Sequence, residues 1–303
     1  MAEVTQQSLA QSLQQTLSAN AQERKQAEKY LESVEHTEHF VVPLLQLVNS
    51  STADEHIRFA AALYFKNYVR RGWAPGDDAE DRITGSDAEA RITDEDRQAV
   101  KRELVGLMIT APKKLQLQLG EAVSIIADSD FPERWPELIS TLVGKLSATD
   151  FHVNNGILQT AHTVFRGWRA AFRSDALYAK INYVLSEFTD AYLDVFVTTD
   201  RLIGEHADSR AALQVLLHSL KLLCEIYYDL NCQDLPPFFE DHMAAFMQTF
   251  HKYLVYTNAQ AETDDDDVAG DLEDVKASIC EIIELYANRY EEDFAQLPQF
   301  VET

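Results

Sequence analysis

The sequence predicts an all-α fold, a HEAT-type superhelical solenoid of about six helical hairpins. Three observations carry that expectation. Apolar residues recur at helical spacing along all 303 residues, and the two-residue alternation of a strand is nowhere sustained. Gly (10) and Pro (8) are too scarce for the many tight turns of a sandwich or barrel. The helical segments pair at roughly the 40–47-residue period of HEAT or armadillo arrays. Such pairs bury their apolar faces only by stacking on their neighbours.

The elements follow in order. Leu9, Leu13 and Leu17 mark a first helix. Asn20 is placed as an N-cap with Glu23 three residues on, as in a capping box, and Ala27, Tyr30, Leu31 and Val34 line the second helix. A short helix runs near Phe40 to Val48. Thr52 and Glu55 repeat the capping pattern before Ile57, Ala60, Ala61, Tyr64 and Tyr68, and Gly72 is placed to stop that helix. The polar, acidic stretch 74–91 reads as a surface loop. Thr93 restarts helix through Val100, Leu104, Leu107 and Met108. Pro112 breaks the chain, and Leu115, Leu119, Ala122, Val123 and Ile126 form the partner. Leu138, Leu142, Val143 and Leu146 pair with Val153, Ile157, Ala161, Val164 and Trp168. Ser174 caps a helix through Leu177, Ile181, Val184, Leu185 and Phe188, whose partner spans 211–230. Asp234 and Pro236 open a helix carrying Met243, Phe246, Met247, Phe250 and Leu254, and Val275, Ile279, Ile282, Ile283 and Tyr286 close the series. Phe294, Leu297, Phe300 and Val301 look like the start of another apolar helix. A solenoid end is expected to carry a polar cap repeat, so the chain reads as a fragment of a longer array.

Composition narrows the function classes. The 50 acidic residues against 26 basic give a net charge of -24. Such a surface repels phosphate backbones, which argues against nucleic acid. It suits a basic protein partner, or it merely keeps the protein soluble. Cys224, Cys232 and Cys280 form no CxxC pair, which fits a reducing compartment better than a disulfide framework. The first 17 residues lack the basic and apolar regions of a signal peptide. The segment 211–230 carries Gln214, His218, Lys221 and Glu225 at helical spacing, a polar stripe that argues against a membrane span.

Catalytic chemistry finds no support. There is no Walker A spacing, no GxGxxG and no GxSxG, so neither an enzyme nor a cofactor is expected. His36 and His39 lack an identifiable third ligand and read as a helix-to-helix turn rather than a metal site. The block Asp264 to Asp267 lacks the spaced oxygens of a calcium loop and reads as a solvated loop or a contact for a basic partner. Basic residues cluster at Lys66, Arg70 and Arg71 and at Arg166, Arg169 and Arg173. Both clusters fit favourable charge near helix C-termini or recognition of acidic patches on a protein.

The run Ala27-Glu28-Lys29-Tyr30-Leu31-Glu32-Ser33 resembles the opening of the N-terminal domain of the importin-beta (karyopherin) family. So does Phe65-Lys66-Asn67-Tyr68-Val69, followed by Trp73. Asp130-Phe131-Pro132-Glu133-Arg134-Trp135-Pro136 resembles the exportin branch of that family. Phe151-His152-Val153, Gly156-Ile157-Leu158 with Thr160-Ala161-His162, Gln233-Asp234-Leu235-Pro236 and Phe238-Phe239-Glu240-Asp241 extend the resemblance along the chain. The loop around Asp77 to Ala90 is longer than the family usually has, so nothing is carried onto it.

The resemblance implies one HEAT array over 1–303, the N-terminal part of a longer solenoid, with an importin-beta-type region at 21–100. It implies an export receptor that shuttles between nucleus and cytoplasm and binds Ran-GTP together with importin-alpha. Ran supplies the nucleotide chemistry, so the chain itself is a scaffold and not an enzyme. Grooves for Phe-Gly nucleoporins are implied as well. In the family the second helix of each pair lines the concave face and the first few grip Ran. Carried onto matching positions, the candidates are Lys29, Lys66 and Asn67; helical spacing adds Gln118, Glu121 and Asp128. Phe65 is expected in the core, and Trp135 and Pro136 are expected to fix a turn between repeats. Another karyopherin, a helical-repeat scaffold outside transport and an enzyme on a helical fold stay open as alternatives.

Overall fold

The computed structural model describes residues 4–73, 92–262, 269–297 and 300. The expectations for the stretch 74–91, for the run Asp264 to Asp267 and for Val301 lie outside these residues. Within them the secondary structure is helical and contains no strand. The chain divides into two compact units, Met1–Trp135 and Pro136–Thr303.

The first unit holds α1 (Gln6–Thr16), α2 (Ala21–Val34), α3 (Val41–Asn49), α4 (Glu55–Gly72), α5 (Asp94–Thr110) and α6 (Lys113–Asp130). They pack as sequential pairs, α1 with α2, α3 with α4 and α5 with α6. α3 also stacks on α1 and on α5, and α4 on α6, so the pairs form a continuous core. That core contains Leu9, Leu31, Phe40, Leu44, Phe65, Val69, Val100, Leu104, Leu119, Val123 and Ile126, all at most 2% exposed. Burying each such side chain contributes about 1.5–3 kcal/mol. The Phe40 ring lies 5.3 Å from Tyr68 and 6.1 Å from Tyr64, which locks the start of α3 onto α4.

Local chemistry sets the helix starts. Asn20 caps α2 by accepting from the Gln22 amide at 2.9 Å. Glu23 does not complete the expected box. Its carboxylate takes the Ser18 hydroxyl at 2.6 Å and the Asn20 side-chain amide at 3.4 Å, because Ser18 Oγ already accepts the Asn20 backbone amide. The cap of α4 is a second correction. Asp54, not Thr52, accepts a free amide of the first turn, that of His56 at 2.9 Å, while Thr52 lies against Ser50 in the preceding turn. Thr93 caps α5 as expected, accepting from Asp96. His39 has a φ of 61°. Its backbone amide and ring nitrogen meet the buried Asp96 carboxylate at 3.1 and 3.3 Å, joining the turn before α3 to the first turn of α5.

The second unit holds α7 (Glu137–Val143), α8 (Phe151–Arg166), a short 3-10 turn (Gly167–Ala170), α9 (Asp175–Glu205), α10 (Arg210–Asn231), α11 (Pro237–Asp241), α12 (Met243–Leu254), α13 (Asp271–Arg289) and α14 (Glu291–Phe294). α10 is its centre and packs on α8, α9 and α13. The polar stripe on α10 faces outward: Gln214 is exposed, and His218, Lys221 and Glu225 are half-buried. No helix among the described residues is long and apolar enough to cross a membrane. α9 runs on past Phe188 to Glu205, because Tyr192, Val195, Phe196, Thr199 and Ile203 continue its buried face. The segment after Pro236 is two helices rather than one, with a break at His242. Tyr192, Phe196, Tyr227, Phe239, Phe246 and Phe250 pack as an aromatic cluster with ring centroids 4.8–6.3 Å apart. The Tyr227 hydroxyl meets that of Tyr286 at 2.6 Å, so the polar ends of both rings stay satisfied inside it.

Candidate protein-binding surface on α2, α4 and α6

The six positions singled out in the sequence fall on the second helices of the first three pairs. Lys29 is exposed on α2. Lys66 and Asn67 are half-buried on α4, and Gln118 and Glu121 are half-buried on α6 while Asp128 is exposed near its end. Phe65 is fully buried, as expected of a core residue.

Two carboxylates tie these helices together, and each takes two donors from α4. Glu35 Oε2, at the end of α2, accepts the Tyr64 hydroxyl at 2.6 Å and the Arg71 guanidinium at 2.7 Å. Burial first, and then the Glu35 hydrogen bond, push the Tyr64 phenol well above its ordinary range, so it remains a donor. Glu121 Oε2, on α6, lies 3.2 Å from Lys66 Nζ and 3.6 Å from Arg70 Nη2. The structure therefore brings Lys66 and Glu121 into direct contact. It leaves the Gln118 side-chain oxygen buried without a hydrogen-bond partner. The role of Arg70 and Arg71 as partners of carboxylates was only partly visible in the sequence. Their partners lie on other helices, and nothing local marks them.

The turn that follows α6 is built from the exportin-like motif. Asp130 is 1% exposed and accepts Lys101 at 2.7 Å and Arg134 at 2.9 Å, while Lys101 also donates to the Arg134 carbonyl at 2.7 Å. Burial raises the Asp130 carboxyl, but the Lys101 hydrogen bond and charge, with Arg134 and Ser129, outweigh it and hold the carboxyl below its usual range. Trp135 is buried at 4% exposure beside this turn.

Two members of the second basic cluster, Arg169 and Arg173, are also engaged within the chain. Arg169 Nε lies 2.5 Å from Asp229, which is fully buried and also contacts His162 Nδ1 at 2.8 Å. Arg173 donates to the Gln233 carbonyl at 2.6 Å, and Gln233 in turn donates to the Trp168 carbonyl at 2.6 Å. The motif residues His162 and Gln233 thus join α8 and the 3-10 turn after it to the end of α10. Among the described residues no three His, Cys, Asp or Glu side chains converge as a metal site would require.

Stacked helical pairs with an ionic surface on the second helices define a HEAT-type helical-repeat fold. The comparisons agree. The pattern of the importin-beta N-terminal domain matches residues 27–110. The Cse1 pattern matches residues 164–303. The importin-alpha re-exporter of Schizosaccharomyces pombe is 43% identical over 97% of this chain and 29% of its own length. Exportin-2 of Homo sapiens is 40% identical over 97% of this chain and 30% of its own. A solved structure of the exportin Cse1 in its cargo-free, cytoplasmic state is 38% identical, with a TM-score of 0.89 over 98% of this chain and 31% of that one. Over 97% of its length the chain is therefore similar to exportin-2 and importin-alpha re-exporter proteins, with segments 27–110 and 164–303 matching the importin-beta N-terminal and Cse1 patterns. It spans about 30% of the length of these relatives.

Proposed function

We propose that this chain is the Ran-binding part of a nuclear export receptor that returns importin-alpha from nucleus to cytoplasm. The observation that carries the reading is the match to the importin-beta N-terminal domain over 27–110, which contains the second half of α2 and the whole of α3, α4 and α5. The names of the relatives supply the cargo: one is an importin-alpha re-exporter. The surface of α2, α4 and α6 on which Lys29, Lys66, Asn67, Gln118, Glu121 and Asp128 lie meets Ran in its GTP form. The chain itself catalyses nothing; hydrolysis on Ran in the cytoplasm ends the complex. Binding of Ran-GTP and of importin-alpha is reciprocal, each raising the affinity for the other by the same factor. A shift of such a two-state scaffold from 1:99 to 99:1 takes about 5.5 kcal/mol of differential affinity, which many modest contacts can supply. Contacts with Phe-Gly nucleoporins complete the shuttling cycle.

A pull-down with the purified chain tests this. Ran-GTP is retained above Ran-GDP, and Lys66→Glu lowers its retention. Importin-alpha alone is retained poorly. Equal retention of the two nucleotide forms of Ran counts against the reading.

A further inference from the structure

The α4 cations that face α6 are already neutralised within the chain. Glu121 sits 3.2 Å from Lys66 and 3.6 Å from Arg70, yet the group is not sealed: Lys66 is 12% exposed, Glu121 43% and Arg70 60%. The carboxylate lies on the open side, with the Lys66 ammonium beneath it. One to two turns toward the helix starts the surface becomes apolar. Phe59 and Leu63 precede Lys66 on one face of α4, Leu117 precedes Glu121 by one turn of α6, and all three are exposed. The two helices run in the same direction, since both end at Lys101. Its ammonium lies 5.9 Å from the Trp73 ring just after α4 and 2.7 Å from Asp130 at the end of α6. The apolar trio therefore lies on one side of the ion pair.

We propose that Glu121 is an internal stand-in for a carboxylate of the bound partner. It holds Lys66 and Arg70 in the unbound chain and is displaced when the partner brings its own carboxylate there, with an apolar side chain against Phe59, Leu63 and Leu117. The inference rests on the assignment of this surface to Ran-GTP. Exchange of one carboxylate for another leaves the half-buried Lys66 paired throughout, so no uncompensated cation is created. A partner without a carboxylate at this place would strand Lys66, which makes the exchange selective. The sign of each residue follows: Lys66 and Arg70 favour binding, whereas Glu121 opposes it.

Calorimetric titration of this chain with Ran carrying a non-hydrolysable GTP analogue tests the signs. Glu121→Gln is expected to bind roughly two- to fivefold tighter than the parent, the range of an exposed ion pair. Lys66→Ala binds more weakly, and in the double variant the gain from Glu121→Gln shrinks by at least half, because its cation is gone. Circular dichroism melting of each variant, with Glu121→Ala as a second removal of the carboxylate, separates binding from folding. Folded Glu121 variants that bind equally to or more weakly than the parent overturn the stand-in role while the Ran assignment survives. Absence of binding by parent and variants alike overturns the Ran assignment and this inference with it.

Discussion

Asp130 is almost fully buried and still favours its ionised form, because Lys101 and Arg134 compensate the loss of water around it. A folded-state pKa below the unfolded value means that the unfolded chain holds the proton more tightly. The stabilisation is therefore complete above the ordinary carboxylate range near ~4 and is lost as pH falls through the depressed folded value. Urea midpoints followed by far-UV circular dichroism should fall more steeply between about pH 5 and pH 3 in the parent than in Asp130→Asn. Parallel pH profiles would remove Asp130 from the acid response. Asp229 is the buried carboxylate at the centre of an ionic group in the second unit. It is fully buried between Arg169 and His162, and truncating one member of such a group strands the others. Asp229→Ala is expected to cost about 3–5 kcal/mol, read as a shift in urea midpoint at unchanged slope. A loss below about 1 kcal/mol would mean that water replaces the carboxylate freely.

At the scale of the element, the cap of α4 gives a paired test. Asp54→Ala should cost about 0.5–2 kcal/mol, while Thr52→Ala should cost little, because Asp54 alone accepts a helix amide. The reverse order would restore the capping box that the spacing of Thr52 and Glu55 suggests. This example shows what was legible in the sequence. Helix existence was legible, because it depends on apolar residues three and four apart, and Leu9, Leu13, Ala27 and Leu31 are buried where that spacing puts them. Caps were legible where one candidate stands alone, as with Ser174 and Thr93, and not where Thr52 and Asp54 compete two residues apart. The break at His242 was missed, since apolar residues continue across it. The surface on α2, α4 and α6 was legible as a set of positions but not as contacts. Lys66 meets a carboxylate 55 residues away, His162 one 67 residues away, and only the stacking of pairs brings them together.

Across the whole molecule the net charge of -24 sets a balance that salt can tip. Like charges repel over distances comparable to a domain at low ionic strength, and the compact state suffers more than the expanded one. Raising salt from ~0.02 M to ~0.3 M shortens the screening length from about 20 Å to about 6 Å. Exposed pairs such as Arg201 with Glu205 and Lys252 with Asp200 weaken at the same time, but each contributes at most about 1 kcal/mol. The buried groups around Asp130 and Asp229 lie out of reach of mobile ions. Relief of repulsion therefore outweighs the loss of surface pairs, and the melting midpoint should rise by roughly 2–5 °C over that salt range. Differential scanning fluorimetry at fixed pH 7 measures it directly. A midpoint that falls with salt would show that the exposed ion pairs, and half-buried ones such as Lys66 with Glu121, hold the helices together more strongly than the surplus carboxylates push them apart.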